Sequence, residues 1–208
     1  MSNALTQGGN TYGGLSLYRS PVSGNGAVAL SSPGAPGIQA VDTEGQKATY
    51  SYATASITPA ATPTELFNIS GATGKVIRIR KIAMDLSSTV SGKINVALIK
   101  RSTAASGGTS ASGTVNKFDS NDVTASASIL SFTANPTVGT TTSIAEVFAL
   151  PSGAAPVAVV RDYSTRNDES MVLRAGEYLG INGLGSALPN ADARINCTIE
   201  WTEESAST

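Results

Sequence analysis

Residues 194–201 alternate without a break: Ile195, Cys197, Ile199 and Trp201 are apolar, while Arg194, Asn196, Thr198 and Glu200 between them are polar. A strict period of two describes a strand with one face in a core and the other in water. Residues 76–86 show the same alternation with one fault. Ile77 and Ile79 share one face, Arg78 and Arg80 the other, and the parity then flips so that Ile82, Met84 and Leu86 are apolar. The flip predicts a bulge or bend near Lys81. Ile94, Val96 and Leu98 alternate with Asn95 and Ala97, and shorter runs follow at 125–132, 144–150, 157–161, 171–173 and 178–181. A Thr/Tyr/Ser-rich run over 48–57 and the segment Leu66-Phe67-Asn68-Ile69 precede them. Helical periodicity over a dozen residues occurs nowhere. About nine short strands at this spacing predict an all-β domain at about 47–204, an antiparallel β-sandwich best read as jelly-roll-like, with 205–208 as a tail. The connection from Lys100 to Val123, with Ser106-Gly-Gly-Thr-Ser-Ala-Ser-Gly113, is long enough to be functional or mobile.

The pattern stops upstream of Lys47. Residues 1–46 hold glycine at 8, 9, 13, 14, 24, 26, 34, 37 and 45, proline at 21, 33 and 36, and only Arg19, Asp42 and Glu44 as charges. Glycine widens the backbone's choices and proline removes ladder donors, so neither a helix nor a central strand is expected. Leu15, Leu17, Tyr18, Val28, Leu30 and Ile38 are scattered apolar residues without a period, more than a plain linker carries. They make this segment an extended arm whose candidate interface residues lie on a neighbouring molecule. A flexible tail with no partner is the alternative.

Composition narrows the chemistry sharply. The chain has no histidine and one cysteine, Cys197, in 208 residues. Ser–His–Asp and Cys–His catalysis need an imidazole, and tetrahedral zinc sites need His and Cys, so no catalytic, metal or cofactor site is expected. Cys197 cannot close an intrachain disulfide and reads as a small core residue. The net charge of −1 and a pI near 5.4 give no counterion-release term, so a nucleic-acid partner is not expected. The N-terminus lacks the basic and apolar regions of a signal peptide, and no run approaches the ~20 apolar residues of a membrane span. The expectation is a protein made and kept in a cytoplasm, without a membrane partner.

Individual motifs add little. Asp119, Asn121 and Asp122 offer oxygen ligands for calcium but lack the glycine and distal glutamate of an EF-hand, and the competing reading is Asx capping of a turn. Gly71-Ala-Thr-Gly-Lys75 is not a phosphate loop, since Ile69 and Val76 stand where glycine and Ser/Thr are needed; it reads as a hairpin turn. Gly180-Ile-Asn-Gly-Leu-Gly185 has the wrong glycine order for a dinucleotide site. Asn68-Ile-Ser70 and Asn196-Cys-Thr198 match a glycosylation sequon but are not expected to meet the machinery. Arg78, Arg80 and Lys81, with Lys93 and Lys100-Arg101, suggest a basic strip that carboxylates elsewhere balance. The carboxylates Glu146, Asp162, Glu177 and Glu200 are scattered rather than paired as a glycosidase requires.

Several segments together do resemble a known group. Thr58-Pro-Ala-Ala-Thr-Pro-Thr-Glu-Leu-Phe-Asn-Ile-Ser-Gly71, Val76-Ile-Arg-Ile-Arg-Lys-Ile82, Ala97-Leu-Ile-Lys-Arg-Ser102 and Ser106-Gly-Gly-Thr109 resemble a recurrent set of bacteriophage and prophage virion structural proteins. Asp119-Ser-Asn-Asp122, Phe132-Thr-Ala-Asn-Pro136, Val172-Leu-Arg174 and Ile199-Glu-Trp-Thr-Glu-Glu204 extend the likeness in order along the chain. Phe118 departs from it, standing where comparable proteins often carry histidine, which counts against a shared metal site. The resemblance implies a particle component with no catalytic residues to carry over. From it follows the expectation of a capsid decoration (cement) protein, a homo-oligomer with a trimer favoured, bound to the major capsid protein or other virion proteins. A tail, neck or fibre component is the alternative within the particle, and a receptor- or carbohydrate-binding module on a tail tip the alternative in another class.

Overall fold

The computed structural model describes residues 16–19, 28–31, 47–54, 56–60, 62–153, 158–164, 171–185 and 192–206. The chain divides into two units, Met1–Gln46 and Lys47–Thr208. In the first, β1 (Ser16–Arg19) pairs antiparallel with β2 (Val28–Ser31), Leu17 opposite Leu30 and Arg19 opposite Val28. The glycine- and proline-rich composition hid this small ribbon. The expected interface residues Leu15 and Ile38 lie outside the described residues.

The second unit holds β3 (Thr49–Ala53), β4 (Pro63–Ser70), β5 (Lys75–Ser87), β6 (Gly92–Arg101), β7 (Thr109–Ser112), β8 (Asn116–Lys117), β9 (Ser128–Ala134), β10 (Thr141–Ser152), β11 (Val159–Asp162), β12 (Val172–Leu173), β13 (Tyr178–Leu184) and β14 (Arg194–Ser205). There are no helices among the described residues. One sheet runs β11-β5-β14-β3-β8 and the other β10-β6-β13-β4-β9-β7, with β12 also on β5. Within them, β3-β14-β5-β11 and β4-β13-β6-β10 are the first-eighth-third-sixth and second-seventh-fourth-fifth of eight strands. That interlocked order is the jelly roll. The sandwich expected from the alternation is therefore present. Its main strands are longer than expected, because β5, β10 and β14 each span a dozen residues or more.

The core forms where the alternating residues of the two sheets meet. Ile195, Cys197, Ile199 and Trp201 of β14 are buried, as are Ile77, Ile79, Ile82, Met84 and Leu86 of β5 and Ile94, Val96 and Leu98 of β6. Trp201 stacks on Tyr50 with ring centroids 5.9 Å apart, and Tyr52 meets Phe67 edge-on at 5.7 Å. The parity fault in 76–86 is a bulge: Lys81 pairs with Glu200 and Ile79 with Trp201, leaving Arg80 as the extra residue. A second bulge explains why Leu66 and Phe67 are adjacent yet both in the core. Phe67 pairs with Ile181 and Glu65 with Asn182, so Leu66 is the inserted residue.

Two expectations about connections are corrected. The segment Gly71–Lys75 is not a hairpin, because β4 and β5 lie in different sheets; it carries the chain across the sandwich. Gly71 passes so near Arg174 that an added Cβ would stand 1.9 Å from its carbonyl oxygen, and Gly74 takes φ +72°. Nor is 100–123 a free loop. Lys100 and Arg101 end β6, β7 joins β9 in one sheet, and β8 joins β3 in the other. Between β7 and β8, Gly113 presses on the Tyr52 ring, where a Cβ would come within 2.4 Å, so this stretch closes one side of the sandwich.

A candidate packing face and its open edge

The two outward faces differ in charge. On the five-stranded sheet, outward residues of β5 and β14 form cross-strand ion pairs: Arg78 with Glu204 at 2.8 Å and Lys81 with Glu200 at 3.3 Å. Lys47 reaches Glu204 at 2.8 Å, and Asn196 donates to Asp85 at 2.8 Å. Burial opposes the Glu204 charge, but the hydrogen bond from Lys47 and the Arg78 charge outweigh it and hold the carboxyl below its ordinary range. This face is polar and internally neutralised.

The six-stranded sheet is built differently. By alternation its outward positions include Ala97, Ile99 and Arg101 on β6, Gly180 and Asn182 on β13, and Glu65 and Asn68 on β4. Glu65 and Arg101 are 0% and 2% exposed. Arg101 grips the Glu65 carboxylate with two bonds, Nε to Oε1 at 3.2 Å and Nη2 to Oε2 at 2.7 Å. Asn182 donates to the same carboxylate at 3.1 Å, and Arg101 Nη1 donates to the Gly139 carbonyl and to Thr141 Oγ1. Gly180 leaves room for this carboxylate, since a Cβ there would stand 2.0 Å from Glu65 Oε1. With this pair turned in on itself, Lys93 is the remaining charge among the outward positions of β4, β6, β10 and β13. The basic strip expected from the sequence does not form: Arg78, Arg80 and Lys81 lie on one sheet, and Lys93, Lys100 and Arg101 on the other.

At the side of this sheet, β10 pairs with β6 alone among the described residues, an edge strand of twelve residues without lysine or arginine. A register shift between Ile144 and Glu146 makes Ala145 the extra residue, so Ile144 lies opposite Ile99 and Val147 opposite Ala97. The bulge thus brings Ile144 and Val147 onto one outward face, 60% and 54% exposed. The charge on β10 is Glu146, tied to Arg161 Nε and, at 2.9 Å, to Tyr163 Oη across the sandwich.

The opposite side carries the Asp119–Asp122 turn. Asn121 N–H donates to Asp119 Oδ1 at 2.9 Å and Asp122 N–H to the Asp119 carbonyl at 3.0 Å, an Asx-stabilised turn. The Lys117 ammonium donates to the Ser120 and Asp122 carbonyls at 2.8 and 2.7 Å, filling the centre that a calcium ion would need. The turn leads into β9, which spans Ser128–Ala134 rather than the expected 125–132. Among the described residues no group of three or more Asp, Glu or Cys side chains is arranged to hold a metal. The melting temperature is expected to be the same in EDTA as in excess calcium; a rise of several degrees with calcium in a scanning calorimeter would show an ion at Asp119.

The remaining expected sites resolve into structure. Burial, with Asp85 nearby, pushes the Cys197 thiol far above its ordinary range, so it is inert. Asp162 is held below the usual carboxylate range by hydrogen bonds from Ser164. Glu177 pairs with Lys100 at 3.3 Å and Glu200 with Lys81, so no two of the scattered carboxylates face each other. Sequence reading missed the Glu65–Arg101–Asn182 cluster, which comes from strands far apart in the chain. No helix among the described residues is long and apolar enough to cross a membrane. No family model matches the chain, and no curated protein or solved structure matches it.

Proposed function

We propose that this chain is a non-enzymatic structural subunit of a tailed-bacteriophage particle, acting as a capsid decoration protein. The observation that favours a packing role is the edge strand β10, which exposes Ile144 and Val147 and carries no lysine or arginine, beside a second sheet whose outward charges pair with one another. A catalytic surface would concentrate titratable groups in a cleft; here Glu65 and Arg101 are buried and saturated with partners. Jelly rolls serve both capsid proteins and lectins, so the fold alone does not choose, and the phage assignment rests on the sequence resemblance. The arm, 1–46, contributes contacts to neighbouring subunits in this reading.

The test is to purify particles from a lysogen or lysate carrying the gene and image them with the chain tagged at its C-terminus. Label over the head surface is expected. Deleting residues 1–40 should leave the domain folded and weaken its retention under dilution or chelation. Label confined to the tail would move the protein to the alternative role, and its absence from particles would end the virion reading.

A further inference from the structure

Asn182 is followed by Gly183, and the pair sits within β13, which pairs with β4 on one side and β6 on the other. Asparagine before glycine is the pair most prone to lose its side-chain amide, because no side chain on the second residue hinders attack by that residue's nitrogen. The other such pair in the chain, Asn25-Gly26, lies outside the described residues. Asn182 is 6% exposed, and its Nδ2 donates to Glu65 Oε2 at 3.1 Å in the cluster that Arg101 completes. Gly183 meets no demand of the fold. Its φ is not positive, and an added Cβ would meet only Leu66 Cδ2 and the Thr64 carbonyl oxygen, both at the ordinary contact distance of 3.8 Å. Gly180, three residues earlier, is the opposite case, because a Cβ there would collide with Glu65.

We propose that Asn182 is a deamidation site that opens only when the domain unfolds, and that its conversion bars the chain from refolding. In the reaction the Gly183 nitrogen loses its proton and attacks Asn182 Cγ. A new C–N bond closes a succinimide, the old bond to the amide nitrogen breaks, and that nitrogen takes up a proton and leaves as ammonia. Water then opens the ring at either carbonyl, so the sum is amide plus water to aspartate or isoaspartate plus ammonia. In the native domain ring closure is blocked. It requires the Asn182 side chain to leave Glu65 and turn onto its own backbone, which pairing on both sides holds extended. Unfolding releases both restraints.

The products do not fit the site they came from. An aspartate at position 182 sets a second carboxylate against buried Glu65 where the native chain has a donor, and the Arg101 guanidinium is already bound to Glu65. Like charges in a buried site repel, and an uncompensated buried charge is strongly destabilising. An isoaspartate adds a carbon to the main chain and breaks the register of β13 with both neighbours. Chains that linger unfolded are thereby removed from the folding pool. This inference stands apart from the particle role.

The experiment ages the full chain, beside a synthetic peptide of residues 178–185, in mildly alkaline buffer with and without concentrated urea. Conversion at position 182 is read by fragmentation mass spectrometry. In urea the chain should convert at the peptide's rate. In native buffer it should convert roughly a thousandfold more slowly, as the small unfolded fraction of a stable domain dictates. After dilution from urea, the refolded pool, judged by size and by the near-UV circular dichroism of Trp201, should retain the amide while converted chains stay unfolded. Gly183→Ala should fold as the wild type does, convert far more slowly in urea and refold fully after ageing, although it keeps Asn25-Gly26. Asn182→Asp should lower the urea midpoint, and adding Glu65→Gln should recover part of the loss. Native conversion at the peptide's rate, converted chains that refold as well as the rest, or Asn182→Asp with an unchanged midpoint would each overturn the proposal. So would a double variant with no recovery, because the loss would not then come from two facing carboxylates.

Discussion

Arg101→Met should lower the unfolding free energy by about 3–5 kcal/mol, read from the urea midpoint of Trp201 fluorescence. The mechanism is a stranded charge: Glu65 is fully buried, and without the guanidinium its carboxylate keeps Asn182 as its side-chain donor. A total stability of about 5–15 kcal/mol is usual for a domain, so this one change should remove much of it. The double variant Arg101→Met/Glu65→Leu should recover a large part, because a buried pair is costly when halved and nearly neutral when replaced whole. Lys81→Met is the control. Its side chain is 40% exposed on the polar face, and such a pair contributes at most about 1 kcal/mol. Equal losses at Arg101 and Lys81 would show that the Glu65 pair is solvated. Hydrogen exchange should also localise the effect, since Arg101 Nη1 holds Gly139 and Thr141 and its loss should expose residues 137–141 first.

The second large effect is in the core. Ile199 is fully buried on β14, opposite Tyr52 on one side and Ile82 on the other. Ile199→Ala should cost roughly 2–5 kcal/mol through lost transfer energy and an unfilled cavity. Thr198 points outward between Ala53 and Ala83, and Thr198→Ala should cost less than about 1 kcal/mol. Similar midpoints for the two variants would mean that both faces of β14 are covered.

Local pattern carried the fold and little of the site. Alternation in 194–201 and 76–86 is a property of one strand each, so a reader of the chain can find the strand, its core face and even the bulge at Arg80. The Leu66-Phe67 doublet and the three-residue step from Ile144 to Val147 carried the same kind of signal, and they mark the bulges of β4 and β10. What stayed hidden depends on pairing between distant segments. Glu65, Arg101 and Asn182 look like ordinary surface residues in sequence and become a buried cluster only when β4, β6 and β13 lie side by side. Lys117 likewise turns a loop with the composition of a cation site into one that supplies its own cation. The separation of Arg78, Arg80 and Lys81 from Lys93, Lys100 and Arg101 is a matter of topology, which charge counting along the chain does not see.

The segment between β6 and β10 has a further consequence. Its two ends meet: Ser102 N–H donates to the Thr140 carbonyl at 2.9 Å, and Ser106 and Thr137 exchange backbone bonds at 2.9 and 2.8 Å. The Gly107-Gly108 turn projects just beyond this stem, before β7 begins at Thr109, much as a hairpin tip does. Because closing a longer loop costs only about 0.6 kcal/mol for each doubling of its length, foreign sequence spliced at the exposed Gly107 should leave the frame intact. The molecule thus offers a ready place to carry a guest peptide, a property of its architecture whatever surface it occupies.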